Sequence, residues 1–251
     1  MQKILTPIIA IAVFLGLWEF IVWANGWPNY KMASPSDLVP AFWKFRDLFL
    51  VMGWQTLWRT VLGLLLAVIF GTALGMVMGF SRTMRDALYP LLVGFNAVPK
   101  ATLVPVISLL FIGQYDFNTV LMAFLISFFP IAVSVGIGLS TLEPEYRDIL
   151  AALGASKITI FRKIALPKTL PEFFGALKVS VTLAFIGTNL VEIVSPHGRG
   201  LGALFKSGET NGDYPLMFAV LIALAFLGIV LYYAVVALEK TFAGWAERDS
   251  H

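Results

Sequence analysis

The chain contains no cysteine and only two histidines, His197 and His251. Without cysteine there are no disulfides, no iron–sulfur clusters and no zinc sites of the Cys/His type. A Ser–His–Asp hydrolase would have to rest on one of those two histidines. Charge is equally scarce. Only 13% of the 251 residues are Asp, Glu, Lys or Arg, against about a quarter in soluble domains. That shortage excludes a soluble globular enzyme. It also excludes a disordered chain and a nucleic-acid binder, which need high polarity or a dense basic face. No G-x-x-x-x-G-K-[ST] run occurs, so the chain has no P-loop to cradle ATP phosphates.

What is present is apolar: 59% of residues are hydrophobic and the mean hydropathy is +0.84. A helix needs roughly 20 apolar residues to cross a bilayer. Six runs meet this, at about 4–24, 57–80, 88–112, 120–142, 173–194 and 215–238. The first follows Lys3 but is long for a signal sequence and lacks a clean A-x-A site, so it reads as an uncleaved helix. With both termini in the cytoplasm, inner segments carry 11 Lys and Arg. Outer segments, with residues just inside a span's end counted to the segment they adjoin, carry 6, namely Lys31, Lys44, Arg46, Arg59, Arg199 and Lys206, and Lys100 lies deep within a span. The excess on the inside favours this orientation. The expected fold is all-α, one integral membrane domain over 1–251, with no repeat and no separate soluble part.

Three polar segments connect the spans. Asn25–Thr56 holds an amphipathic stretch, Leu38–Val51, whose Trp43, Phe45 and Phe49, with Trp54 just beyond, suit a membrane interface. Ser195–Tyr214 reads as a Gly-rich outer loop. The inner loop, 143–171, is the most informative. Pro144 among acidic residues starts a helix. Ile149, Leu150 and Leu153 share a face, and Gly154 stops the helix. A second apolar stripe follows at Ile158, Phe161, Ile164 and Leu166, closed by Pro167 and Pro171.

This loop resembles the EAA motif of ABC-importer permeases, in which an E-A-A triplet is followed by three residues, a glycine, nine residues and I-x-L-P. Gly154 and Ile164-Ala-Leu166-Pro167 are in register, while the triplet falls on Asp148-Ile149-Leu150. The carboxylate is thus one methylene shorter and both alanines are larger apolar residues. Ala33-Ser-Pro-Ser-Asp37, Val98-Pro-Lys-Ala-Thr-Leu-Val-Pro105 with Phe111-Ile-Gly113, and Glu192 followed by Gly200-Leu-Gly202 are similar to segments of the nitrate/sulfonate/taurine branch, and they occur in that order.

The resemblance implies a type I importer permease of a bacterial inner membrane, with several partners. A cytoplasmic ATPase dimer would meet the loop as a coupling helix, through Glu145, Arg147, Asp148, Ile149, Leu150, Ala152, Leu153, Gly154, Ala155, Ser156, Ile164, Leu166 and Pro167. A second permease copy would complete a homodimer, and an extracytoplasmic binding protein would deliver a small organic anion or vitamin precursor. Membrane lipid surrounds the chain. No cofactor, metal or nucleic acid is implied.

Within the spans, Gly63, Ala67, Gly71, Gly75 and Gly79 recur every fourth residue. Small residues at that spacing form a flat strip that a neighbouring backbone can approach, although membrane helices are rich in Gly generally. Asn96, Pro99 and Lys100 sit in the proline-rich third span. A lysine there costs roughly 2.5–3.5 kcal/mol on insertion scales, so Lys100 either lines the pathway or gate, or pairs with carbonyls or a carboxylate. Asn189 and Glu192 share a helix face. Glu192 either lines the pathway or ties down the Gly198–Gly202 loop. Glu19 reads as a snorkelling or helix-pairing residue, and His197 as an outer-loop polar group. An ion-coupled secondary transporter would need ionisable pairs within spans. Lys100 and Glu192 are the only such pair here, and they lie at different depths.

Overall fold

The computed structural model describes residues 2–140, 159, 161–196 and 198–244. Among these every regular element is helical. The order is α1 (Gln2–Asn25), α2 (Pro35–Lys44), α3 (Arg46–Phe80), α4 (Arg82–Ala97), α5 (Lys100–Leu110), α6 (Tyr115–Ser140), a π-helical turn (Phe161–Ala165), α7 (Leu166–Val194), α8 (Leu201–Asn211) and α9 (Tyr214–Ala243). Four of them, α3, α6, α7 and α9, are long and apolar enough to cross a membrane. The pair α4 and α5, bent by 92°, is long and apolar enough together to count as a fifth if it forms one broken span. Helix α1 has 24 residues and covers the first expected span. Exposed side chains are apolar along these helices, among them Phe14, Trp23, Leu109 and Phe226.

Several boundaries differ from those expected. The third span is not one helix, because Val98 and Pro99 leave the α-region and Pro99 becomes the cap of α5. Proline offers no N–H and disfavours helical backbone before it. The second span's helix begins eleven residues early, at Arg46, so the amphipathic stretch 38–51 is divided between α2 and α3. Pro167 and Pro171 do not close the preceding segment. They lie in the opening turns of α7, and at the first of these positions the missing N–H is not needed. The Gly-rich outer loop contains the helix α8. Leu201 and Leu204 bury one face of it, and Gly212, in the left-handed region at φ 70°, ends it.

The chain forms two compact units. One comprises Met1–Thr56 and Glu192–Leu227, the other Leu57–Val191 and Gly228–His251. In the first, α2 starts at Ser34, whose N–H and hydroxyl both donate to Asp37 Oδ2, at 3.1 and 2.7 Å, with Pro35 next. Leu38 and Ala41 bury its inner face with Ala33 and Ala219, against Trp18 and Phe218. Helix α8 packs similarly, with Leu201 and Leu204 against Leu216 and Val220.

In the second unit α6 is the central element. Met122 and Ile126 pack on Val104 and Ile107 of α5 and on Val191 of α7, and Ala132 packs on Met78 and Leu92. Lys178 of α7 and Glu239 of α9 form an ion pair at 2.9 Å.

Candidate functional site

The strip of small residues on α3 lies against α6 within the second unit. A Cβ added at Gly71 would stand 2.9 Å from the Phe128 carbonyl and 3.1 Å from Ile131 Cβ. At Gly75 it would stand 2.6 Å from Val135 Cβ and 2.7 Å from the Ala132 carbonyl, and at Gly79 2.6 Å from Leu139 Cβ. At Gly63 it would overlap Ala123 Cβ. Ala67 is fully buried. The glycines are therefore where α3 and α6 approach backbone to backbone, which maximises dispersion contacts in a bilayer that supplies no hydrophobic drive between helices. From the other side, Gly187 of α7 admits Ala123 and the Met122 carbonyl, each 2.9 Å from where its Cβ would be.

Asn96, Pro99 and Lys100 meet at the break between α4 and α5. The Lys100 ammonium donates to the carbonyls of Phe95, Asn96 and Val98, at 2.7, 3.0 and 3.2 Å, and lies 4.9 Å over the Phe95 ring. These carbonyls belong to the last turn and cap of α4, where carbonyls lack their usual i+4 donors, and that of Phe95 also accepts the Val98 N–H at 3.3 Å. A cation at a helix C-terminus also opposes the negative end of the dipole. Of the two roles open to Lys100, its contacts are those of the structural one. We expect Lys100→Met to lose these charge-assisted bonds and lower stability by roughly 2–3 kcal/mol, with Lys100→Arg closer to the wild type. Thermal unfolding in detergent beside uptake measures this. Lost uptake at unchanged stability would instead indicate a pathway lysine.

Asn189 donates to the Phe185 carbonyl at 2.8 Å, and its buried Oδ1 has no hydrogen-bond partner among the described residues. It does not join the Lys100 group.

Glu192 belongs to the first unit and is fully buried. Its carboxylate accepts from Thr56 Oγ1, at 2.9 and 3.0 Å, and from the Gly202 N–H at 2.9 Å. Thr56 Oγ1 in turn accepts from the Leu201 N–H at 2.9 Å. Leu201 and Gly202 open α8, whose cap, Gly200, has no side chain to satisfy them. A carboxylate from α7 and a hydroxyl from α3 do so instead, and the negative charge faces the positive end of the α8 dipole. Gly200 adopts φ 117°, and a Cβ on it would run into that carboxylate. The contacts of Glu192 are thus those of a tie to the Gly198–Gly202 loop.

Glu19 does the same for α2. Its carboxylate accepts the Ser36 N–H at 3.0 Å and the Ser36 hydroxyl at 2.7 Å, which pairs α1 with α2. So each short helix of this unit is capped by a glutamate from a long one.

Of the coupling residues, Glu145, Arg147, Asp148, Ile149, Leu150, Ala152, Leu153, Gly154, Ala155 and Ser156 lie outside the described residues, as does His197. The end of the motif is described. Ile164 ends in the π-helical turn, and Leu166 and Pro167 begin α7. Leu166 lines an apolar hollow of about 270 Å³ together with Thr72 and Met76 of α3 and Val135 and Leu139 of α6.

Sequence reasoning missed Thr56 and the Arg59–Asp116 ion pair. Arg59 was counted as an outer charge, yet it is 2% exposed. A cation at the edge of an apolar run was the available signal.

Residues 63–244 match the family described as binding-protein-dependent transport system inner membrane component. The chain belongs to this family. Among its relatives is the formylaminopyrimidine transport permease protein ThiX of Halalkalibacterium halodurans, 30% identical, covering 98% of this chain and 97% of the relative. The riboflavin transport system permease protein RibX of Chloroflexus aurantiacus is also 30% identical, over 94% and 88%. The taurine transport system permease protein TauC of Escherichia coli is 25% identical, over 97% and 90%. A solved structure of the MetNI methionine ABC transporter in an inward-facing conformation shares the fold, with a TM-score of 0.63 at 18% identity. It covers 81% of this chain and 98% of that one. The protein is an ABC importer permease, a multi-pass inner-membrane component for small solutes. It is non-catalytic, and ATP is hydrolysed on a separate subunit.

Proposed function

We propose that two copies of this permease form the passage of an importer, with both termini of each in the cytoplasm. The loop 143–171 receives the motion of an ATPase dimer, and a binding protein on the outer side delivers the solute. The observation that carries this reading is the family match across residues 63–244, which contains the whole loop. The excess of Lys and Arg in the inner segments supports the orientation. The solute class is a small organic anion, such as a sulfonate or taurine, a nitrate-like anion, or a heterocyclic vitamin precursor. Relatives named for formylaminopyrimidine, riboflavin and taurine support a range of that width. A state-dependent contact at the loop is sufficient to transmit the push, since a ligand or partner shifts an equilibrium only through its differential interaction with the two states.

Gly154 tests the coupling role. Read as the C-terminal glycine of the coupling helix, it tolerates a β-carbon only at a cost of about 1 kcal/mol or more. Gly154→Val should leave the permease inserted and paired while the ATPase is lost on purification or its activity is uncoupled from uptake. Normal copurification with full uptake would refute the role.

A further inference from the structure

The C-terminal end of α3, the first turns of α4 and the C-terminal end of α6 enclose a cavity of about 430 Å³, a volume within the range of ligand sites. Met78 of α3 and Ile137 of α6 give it apolar walls. Arg85, Asp86 and Tyr89 of α4, with Ser140 of α6, supply its polar groups. Arg85 and Tyr89 are four residues apart and so share a face of α4. The guanidinium is anchored by its Nε, which donates to the Met78 carbonyl at 3.3 Å. That carbonyl is among the last four of α3, which have no donor within the helix. Among the described residues, the terminal nitrogens of Arg85 and the carboxylate of Asp86 have no hydrogen-bond or ion-pair partner. Two opposite charges thus line one cavity at adjacent positions, and neither is used by those residues.

The depth of the cavity decides what brings the complementary charges. The apolar run of α3 ends at Phe80, and Arg82 and Arg85 follow at once in α4. This is the boundary between membrane and water, where phospholipid headgroups lie and where tyrosine is enriched. Phe80, Met84 and Ile137 are exposed on the same helix ends. Such walls offer nothing to a polar solute, whereas they suit the glycerol and first acyl carbons of a lipid. An arginine meets a phosphate through two N–H groups at once. A carboxylate beside it repels a headgroup that is only negative and attracts one that also carries an ammonium.

We propose that this cavity binds a zwitterionic phospholipid with a primary ammonium, of the phosphatidylethanolamine class. Arg85 meets the phosphate and Asp86 the ammonium, while Tyr89 and Ser140 offer hydroxyls to the phosphate and ester oxygens. The first acyl carbons lie on Met78 and Ile137. Helix α6 ends at Ser140, a few residues before the loop 143–171, so the bound lipid braces the helix end from which that loop departs.

The test uses the whole importer, purified in detergent and titrated with dioleoyl phosphatidylethanolamine or dioleoyl phosphatidylglycerol, with retained lipid counted by native mass spectrometry. The wild type should retain phosphatidylethanolamine in preference to phosphatidylglycerol. Arg85→Gln should weaken retention of both by about tenfold. Arg82→Gln removes the same charge three residues away, outside the cavity, and should change neither. Asp86→Asn should reduce the preference for phosphatidylethanolamine by about threefold. Asp86 is exposed, so this variant folds even where Arg85→Gln does not, and in that case it decides alone. Equal retention of the two lipids by the wild type would overturn the proposal, as would equal losses in Arg82→Gln and Arg85→Gln. Unchanged retention in Arg85→Gln would overturn it too. Lost pairing of the permeases in that variant would then make the cavity a face for the second copy, and lost uptake would place it on the solute's path.

Discussion

Gly75→Leu should give no stable folded permease. Even the first added atom at this position would lie 2.6 Å from Val135 Cβ and 2.7 Å from the Ala132 carbonyl. A backbone carbonyl cannot rotate away as a side chain can, so α3 and α6 would have to part along their whole contact. Overpacking of a core by a few methylenes costs typically about 1–3 kcal/mol. Gly75→Ala should fall in that range, and Gly75→Leu should exceed it. The check is monodisperse yield and unfolding midpoint in detergent. Gly16→Ala is the control. No heavy atom lies within 4 Å of its added Cβ, and alanine is the better helix former by about 0.8–1 kcal/mol, so that variant should match or exceed the wild type. Wild-type behaviour of Gly71→Leu, Gly75→Leu and Gly79→Leu together would mean the strip faces lipid.

The second large effect concerns Glu192. Glu192→Leu strands the Gly202 N–H in a buried place, takes from the Thr56 hydroxyl its carboxylate acceptor while leaving its longer bond to the Met52 carbonyl at 3.2 Å, and removes the charge that opposes the α8 dipole. Each unsatisfied group costs about 1–3 kcal/mol, so a loss of roughly 3 kcal/mol or more is expected. Glu192→Gln keeps the shape and an acceptor and should cost less. Gly200→Ala should also destabilise, because its φ of 117° and the adjacent carboxylate both reject a side chain. The two effects share a cause, so they should not add. In a Glu192→Ala background the carboxylate is gone, and Gly200→Ala should cost less by about 0.5–3 kcal/mol, the range seen for contacting residues. Strict additivity would show that the carboxylate does not occupy the place a Cβ would take. Lost uptake in Glu192→Gln at wild-type stability would favour a pathway role.

Much of this architecture is written locally. A run such as Leu57–Phe80 declares a membrane helix by length and apolarity, and the four-residue spacing of its glycines declares a flat face. What touches that face is not declared. Ala123, Ile131, Val135 and Leu139 are ordinary apolar residues, and nothing in their spacing advertises a partner sixty positions away. The break at Val98–Pro99 follows from proline, but the capture of three carbonyls by Lys100 depends on where the chain turns. Helix α8 was hidden because Gly200, Gly202, Gly208 and Gly212 suggest a loop. Its stability comes from Leu201 and Leu204 burying into the first unit and from a cap supplied by Thr56 and Glu192, 145 and 10 residues away along the chain. Arg59 looked like a charge in an outer segment, and its ion pair with Asp116 depends on where α6 begins. Local pattern thus gives elements and their faces, while the polar ties between them are tertiary.

This chain conducts a solute without supplying the energy. The most direct test is reconstitution of the purified permease into sealed vesicles, alone and together with its ATPase and binding protein, followed by uptake of the binding protein's own ligand. Accumulation is expected only when ATP, the ATPase and the binding protein are all present, with no ATP hydrolysis by the permease alone. Uptake by the permease alone, driven by a proton or sodium gradient, would contradict it.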